Sequence, residues 1–296
     1  MTTHPFFQVD AFADRPLHGN PCAVVLDADD LDDATMLAVA REMNLSETAF
    51  VRRSATADVG VRYFTPAEEI PLAGHPTVAT VWALLEAGRL PLAGGRGRYS
   101  LELRDGPITV DVEAAVGCPP RIVMTQRRPT FHAEHDAAPV LAAFGLAPGD
   151  LLPGATVQTV STGTRMLMVP LRDHDALRRA RLDPPAYEAI RARGDFFGSH
   201  LFALGGATPG GRTFARHLSP PPDVPEDPFT GSATGCMAAY LWRHGLIDAP
   251  RFVAEQGHWM GRPGEATVEV EGSRDAITSV RVGGSAVTVV RGTLSL

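Results

Sequence analysis

The sequence predicts an α+β protein made of two pseudo-symmetric halves, each a curved β-sheet or barrel wrapped around a central buried helix. Three observations lead to this fold class. One passage occurs twice, each copy is followed by an uncharged stretch of helical length, and short apolar strands surround both copies. A helix without a polar face has to be enclosed by other elements, and duplication of the whole pattern indicates two related domains.

The repeated passage reads EIPLAGH at residues 69–75 and EDPFTGS at residues 226–232. The similarity continues upstream, where RYFTP at residues 62–66 corresponds to RHLSP at residues 216–220. Conservation of the glycine and of the uncharged stretch after it predicts that both copies begin a buried helix.

The two copies differ at positions where chemistry is expected. His75 in the first copy stands where Ser232 stands in the second, and Ile70 stands where Asp227 stands. A polar or ionisable residue that appears in one copy alone suggests an asymmetric role rather than a purely structural one.

Composition limits the class of protein. The chain has 296 residues, 44% of them apolar and 21% charged, with a formal net charge of −7. This is an ordinary globular balance with room for two domains, and the negative charge argues against a nucleic-acid partner. The three cysteines are widely spaced and give neither a disulfide framework nor a metal-binding spacing. Neither a signal peptide nor a membrane span is expected, and the cytoplasm is the expected location.

The elements of the first half follow from local pattern. Apolar runs predict strands at residues 6–12, 22–26, 48–51 and 59–64, and a hairpin at 100–103 and 108–112. A helix is predicted after Asp32 or Asp33, because either aspartate can cap it and the apolar residues that follow have helical spacing. Asn44 suits the end of this helix.

The second half shows the same kind of pattern. Strands are predicted at residues 157–160, 166–171, 200–204, 213–217, 279–282 and 287–290, with a polar helix at 183–193. The expected division is a first domain at residues 1–128 and a second at 129–285, with the last strand, about 286–296, a candidate for returning to the first. Residues 129–153 read as a linker, and the active site is expected in the cleft between the domains.

The glycine that begins each uncharged helix points to an anion site. Backbone N–H groups of a first helical turn have no partner within the helix, and the helix dipole adds partial positive charge there. Two such ends, at Gly74 and Gly231, would suit a small carboxylate or phosphate ligand. The alternative is that both glycines only allow buried helices to pack closely.

We consider four side chains as candidate functional residues. His75 at the start of a helix is expected to stay neutral, because the helix terminus repels the imidazolium, and it is then able to give or take one proton. Asp227 is either a capping acid or a functional group. Glu47 has the local pattern of a surface residue, and Cys236 that of a packed core thiol.

Several motifs together resemble the phenazine biosynthesis PhzF-like family over nearly the whole chain. In chain order they are GNP at 19–21, NLSETAF at 44–50, FTP at 64–66, AGHPT at 73–77, EDPFTGSA at 226–233, Gly257 with GRP at 261–263, and VGG at 282–284. The resemblance implies the diaminopimelate epimerase-like fold, with two barrel-like halves each around a central helix. It also implies a homodimer.

The resemblance implies roles for individual residues. Glu47 matches the general acid/base of the family, and His75 and Asp227 match residues that hold polar groups of the substrate. Gly74, Gly231 and Ser232 match the helix ends that receive the carboxylate, and Asn20 is a further substrate-binding candidate.

The implied reaction is a cofactor-free and metal-free isomerisation of a small carboxylate like trans-2,3-dihydro-3-hydroxyanthranilate, in which a proton moves between carbons. Two alternatives stay open. One is an epimerase or racemase of a small amino or hydroxy acid. It would not use two thiols, because no cysteine stands near Gly74 and His75. The other is a carboxylate-binding protein without catalysis.

Overall fold

The computed structural model describes residues 2–115 and 117–296. The chain forms two compact units, one of Met1–Thr125 with Gly283–Leu296 and the other of Gln126–Val282. Both contain a β-sheet and helices, so the predicted α+β class is confirmed. No helix among the described residues is long and apolar enough to cross a membrane.

Unit 1 is a sheet with two helices. Its elements are β1 (Thr3–Ala11), β2 (Asn20–Val25), α1 (Asp33–Met43), β3 (Glu47–Arg52), β4 (Val59–Phe64), β5 (Glu69–Ile70), α2 (Gly74–Glu86), β6 (Arg96–Leu103), β7 (Gly106–Glu113), β8 (Arg121–Gln126, ending at the unit boundary) and, from the end of the chain, β18 (Ala286–Ser295). The strand order is β18-β1-β2-β3-β4-β6-β7-β8, antiparallel except for the parallel pairs β2–β3 and β4–β6. The short β5 pairs with β4.

Unit 2 has the same kind of sheet with more helices. Its elements are β9 (Thr130–His135), α3 (Ala137–Ala142), β10 (Val157–Ser161), β11 (Arg165–Pro170), α4 (His174–Arg179), α5 (Pro184–Arg191), β12 (Gly198–Leu204), β13 (Thr213–Leu218), β14 (Glu226–Asp227), α6 (Gly231–Arg243), β15 (Arg251–Gln256), β16 (Gly264–Ser273) and β17 (Ala276–Gly284), which leads the chain back into unit 1. The order β9-β10-β11-β12-β13-β15-β16 is antiparallel except for β11–β12 and β13–β15.

The internal repeat therefore extends to topology. Both units contain two antiparallel strands, and the second of these pairs in parallel with a third strand, which is antiparallel to a fourth. A two-residue strand and a buried helix follow the fourth strand. The next strand then pairs in parallel with the fourth, and an antiparallel strand comes after it; we call each parallel pairing a parallel step. Each parallel step needs a connection that crosses the sheet. In one of the two steps of each unit, that connection contains the uncharged helix, α2 or α6.

The two uncharged helices are buried on all sides, as their sequences predict. Ten of the thirteen residues of α2 and eleven of the thirteen of α6 are buried. The amphipathic α1 also follows its prediction. Its N-cap is Asp32, which accepts a hydrogen bond from the backbone N–H of Thr35 at 2.8 Å, and its C-cap Asn44 has the left-handed φ of 50°.

The predicted linker at residues 129–153 is wrong. This segment contains β9, which pairs with β10, and α3, whose Val140 and Leu141 join the buried core of unit 2 together with Phe144. The segment lacked a clear pattern because β9 has no buried residue and α3 is only six residues long. Helices this short give little periodicity to detect.

An arginine–glutamate pair holds the two-residue strand at the same place in each unit. Arg62 donates from Nε and Nη2 to the two carboxylate oxygens of Glu69, both at 2.8 Å. Arg216 does the same to Glu226 at 2.8 and 2.7 Å. Such bidentate pairs fix orientation as well as distance. Each pair thereby fixes the chain just before the buried helix begins.

We expect His200 to make unit 2 sensitive to acid. Its side chain is fully buried in β12, and burial, aided by His217, holds its pKa well below the ordinary value. The unfolded chain therefore takes up this proton as pH falls below about 6.5, whereas the folded chain does not. The linkage lowers the free energy of unfolding as pH falls, by at most about 2 kcal/mol at pH 5.

His200→Leu should make the fall in stability between pH 7 and pH 5 smaller, measured as the change in urea midpoint. The urea midpoints of the wild-type protein and the variant at pH 8, where His200 is neutral in both the folded and the unfolded chain, give the control for packing differences. An equal pH dependence in both proteins would refute the expectation.

Candidate active site

Unit 1 places a carboxylate beside an imidazole. Glu47 is the first residue of β3, and His75 is the second residue of α2. Glu47 Oε2 and His75 Nε2 lie 3.3 Å apart, and their side chains are 17% and 3% exposed. A proton can pass over such a distance with little movement. The sequence pattern of a surface residue at Glu47 is thus misleading, because its side chain is mostly covered.

Asn20 fixes the tautomer of this histidine. The side-chain nitrogen of Asn20, at the start of β2, lies 2.9 Å from His75 Nδ1. An amide NH₂ can only donate, so Nδ1 is the acceptor and the ring proton belongs to Nε2. The Nε2–H group then faces the carboxylate of Glu47. Asn20, a substrate-binding candidate from sequence, makes this contact with the protein itself.

A buried thiol lies behind Glu47. Cys22 of β2 is paired with Glu47 in the parallel β2–β3 register. Burial first, and then the negative charge of Glu47, raise the pKa of Cys22 well above its usual value. Thiolates, not thiols, act as bases and nucleophiles. The acid/base candidate on this strand pair is therefore the carboxylate.

Both buried helices begin without a side-chain cap. Before α2 the N-cap position is Ala73, which has no polar side chain. Before α6 it is Thr230, a good capping residue, but its hydroxyl donates to Asp227 Oδ2 at 2.5 Å instead. The backbone N–H groups of each first turn thus lack the usual side-chain acceptor. Gly74 and Gly231 open these first turns, next to His75 and Ser232.

Asp227 is held firmly in unit 2. It ends β14, is 7% exposed, and accepts the hydrogen bond from Thr230. Gln256 donates from Nε2 to the backbone carbonyl of Asp227 at 2.6 Å and accepts from the backbone N–H of Thr230 at 3.1 Å. The loop between β14 and α6 is thereby fixed from both sides, which keeps the carboxylate in one place.

A second amide supports the start of α6. Gln126 donates to the backbone carbonyl of Gly231 at 2.9 Å and accepts from the hydroxyl of Thr162 at 2.6 Å. The carboxamide occupies the space where a side chain at Gly235 would begin, since a Cβ there would lie 1.7 Å from Gln126 Oε1. Cys236 is buried here, 3.3 Å from the Thr162 hydroxyl, and burial raises its pKa to about 11.

Sequence reasoning did not find three residues that hold Asp227 and the start of α6. Thr230 had a local signal, because threonine directly before a helix-starting glycine is a preferred N-cap residue, but that signal predicts a cap and not the contact with Asp227 that the structure shows. Gln126 and Gln256 gave no local signal. Each acts on a loop or helix far away in sequence, and a glutamine in a strand has no characteristic pattern.

The comparisons with known proteins identify the family and agree with the fold. A model of the family described as phenazine biosynthesis-like protein, PhzC-PhzF, matches residues 9–292. The trans-2,3-dihydro-3-hydroxyanthranilate isomerase of Pseudomonas fluorescens is 37% identical over 295 residues, which cover 99% of this chain and 100% of that protein.

Two solved structures are also similar over essentially the full length. A PhzF-family phenazine biosynthesis protein from Bacillus anthracis has a TM-score of 0.88 at 29% identity and covers 100% of both chains. A predicted epimerase from Pseudomonas aeruginosa has a TM-score of 0.84 at 34% identity and covers 98% of this chain and 99% of its own. The fold class predicted from the sequence is confirmed by these likenesses.

Asn20→Asp should reverse the tautomer of His75. A carboxylate can only accept, so it favours a proton on Nδ1 and removes the one on Nε2 that faces Glu47. Ring ¹⁵N chemical shifts of His75 would report the change. Asn44→Asp, at the exposed C-cap of α1, is the matched control and should leave the His75 shifts unaltered. Finding Nδ1 already protonated in the wild-type protein would contradict the prediction.

Gly235→Ala should destabilise unit 2 by about 1–3 kcal/mol, because the added methyl group displaces the Gln126 carboxamide. The urea midpoint measures the loss. Gly149→Ala is the control, since a Cβ at Gly149 meets nothing within 4 Å. Equal midpoints for the two variants would show that Gln126 moves aside without cost.

Proposed function

Because this chain belongs to the phenazine biosynthesis-like protein family, PhzC-PhzF, we propose that it moves a proton between two carbons of a small cyclic carboxylate. The chain is an isomerase, as its named relatives are. What we propose is the class of its substrate and the role of each site residue. The first compound to test is trans-2,3-dihydro-3-hydroxyanthranilate, the substrate named for the relative from Pseudomonas fluorescens.

The approach of Glu47 Oε2 to His75 Nε2, at 3.3 Å, beside the Asn20–His75 hydrogen bond, is the observation that carries this proposal. Glu47 removes a proton from one carbon and returns it to another. In this proposal a small movement lets the neutral imidazole of His75 donate from Nε2 to Glu47, whose Oε2 lies 3.3 Å away, and the hydrogen bond stabilises the carboxylate form. Closure around the substrate would remove water and raise the proton affinity of Glu47. A carboxylate base acting in this way needs no electron-carrying cofactor.

The uncapped helix starts are the proposed site for the substrate carboxylate. Backbone N–H groups at Gly74 can bind an anion without a basic side chain. Gly231 and Ser232 have the corresponding positions in unit 2, and we propose that they too bind substrate. Asp227, held by Thr230, would accept a hydrogen bond from a hydroxyl or amino group of the substrate.

An epimerase or racemase without thiol catalysis is the second candidate. The similarity to a solved protein described as a predicted epimerase favours it, whereas burial of Cys22 and Cys236 as neutral thiols opposes a two-cysteine mechanism. Deuterium gained from heavy water at a stereocentre, with loss of optical purity, would identify this activity. Carboxylate binding without any exchange at carbon would instead identify a binding protein.

A homodimer in the cytoplasm is part of the same proposal and rests on the family resemblance. Light scattering of the purified protein would measure the oligomeric state.

Glu47→Gln should lower turnover of the confirmed substrate by about 10²–10⁴-fold, the usual contribution of a positioned acid/base. Substrate affinity should change little, because the amide keeps the size and polarity of the side chain. Steady-state kinetics together with calorimetric binding separate the two effects. Glu42→Gln, an exposed glutamate on α1, is the control and should retain full activity. Normal turnover in Glu47→Gln would remove Glu47 from the mechanism.

A further inference from the structure

The sheet registers identify which residue of unit 2 corresponds to Glu47. In unit 1, Phe50 of β3 is opposite Arg62 of β4. In unit 2, Leu201 of β12 is opposite Arg216 of β13, and the two arginines are equivalent in the repeat. Three residues before Phe50 is Glu47, and three residues before Leu201 is Gly198. Unit 2 thus has a glycine where unit 1 has its acid.

The space above this glycine is filled by an imidazole. A Cβ at Gly198 would lie 3.2 Å from both Cε1 and Nε2 of His217. The ring of His217 therefore lies against the position from which the side chain of Glu47 extends in unit 1. A side chain at Gly198 would press against the ring, so the glycine leaves room for the ring in this position.

His217 and the residue opposite it on the next strand both differ from the corresponding pair in unit 1. Tyr63 is opposite Ile70 in unit 1, whereas His217 is opposite Asp227 in unit 2. The hydroxyl of Tyr63 is 2.9 Å from that of Thr77 on α2, so the unit 1 pair is a neutral structural contact. Directly opposite residues of antiparallel strands lie on the same face and interact. Both members of this pair are thus ionisable in unit 2 alone.

The surroundings of His217 favour a neutral ring near neutral pH. It is 7% exposed, and its Nδ1 has no hydrogen-bond partner within residues 2–115 and 117–296. His200 on the next strand is fully buried, with its ring centroid 5.9 Å away. Burial lowers the pKa of His217, while the charges of Asp227 and of Glu226 oppose that effect. Glu226 is itself paired with Arg216, which leaves Asp227 as the acid not neutralised by that arginine.

We propose that His217 is a positioning residue for Asp227 and that the two form a carboxylate–imidazole pair in unit 2. The residues of this pair do not correspond, in the repeat, to Glu47 and His75, which form the pair of unit 1. In this role Asp227 accepts from a hydroxyl or amino group of the substrate through its negative charge. A proton on His217 creates an ion pair that competes for this charge. The proposal rests on the proposed function only in giving Asp227 a role in substrate binding.

The coupling is testable without a substrate. NMR titration of ¹⁵N-labelled histidine rings should show that Asp227→Asn lowers the pKa of His217 by about one pH unit or more, because a nearby negative charge is lost. His244, the C-cap residue after the same unit's buried helix, serves as the internal reference and should titrate as before. An unchanged His217 titration, with His244 also unchanged, would overturn the proposal.

A reciprocal variant covers the case in which Asp227→Asn does not fold. His217→Tyr introduces the residue found at this place in unit 1, and it should raise the pKa of Asp227 measured by ¹³C NMR, since the protonated imidazole no longer stabilises the carboxylate at low pH. An Asp227 titration identical to that of the wild-type protein would equally overturn the pairing.

Kinetics separate this role from a purely structural one. With trans-2,3-dihydro-3-hydroxyanthranilate as the probe, KM of the wild-type enzyme should rise as pH falls through the pKa of His217, and His217→Tyr should remove that rise with little change in kcat. The same acid-side rise of KM in both proteins would refute the role in substrate binding. Failure of this compound to react would count against the proposed function, whereas the NMR titrations would still decide on the His217–Asp227 pair.

Discussion

Burial of a largely apolar helix is the constraint on which each unit depends. Because α2 and α6 have no polar face, a sheet and its connections must cover them on every side, and the parallel steps of each sheet provide the crossover in which the helix lies. With Ala73 at one N-cap and a threonine whose hydroxyl donates to Asp227 at the other, the backbone N–H groups of both first turns have no side-chain cap.

The repeat shows which contacts the fold needs and which it allows to vary. Both units keep the bidentate arginine–glutamate pair, and both keep a threonine on the first turn that returns a hydrogen bond to the N-cap carbonyl, Thr77 at 2.7 Å and Thr234 at 2.9 Å. These contacts fix the approach to the helix and its first turn. The positions beside them have diverged in pairs, as in Tyr63–Ile70 against His217–Asp227. A scaffold held by the shared contacts can carry different ionisable groups in its two copies.

Much of this architecture was predictable because its signals are local or repeated. Asp32 and Asn44 mark the ends of α1, and the duplicated passage identifies both buried helices. The segment after residue 128 was not predictable, because its strand is edge-like and exposed and its helix is too short to show a period. The position of Glu47 could be inferred only from the family resemblance. Its burial depends on α2, which lies 27 or more residues later in the chain, and no local pattern encodes that contact.

The direction of the hydrogen bonds in unit 1 decides which group can change its charge. His75 receives the Asn20 amide on Nδ1, so a second proton on the ring would set two donors against each other at 2.9 Å. The partial positive charge at the start of α2 opposes an imidazolium as well. Cys22 is held as a thiol by burial and by Glu47 itself. With His75 and Cys22 each held in one protonation state, Glu47 is the candidate in this cluster for the acid/base exchange that the proposed reaction requires.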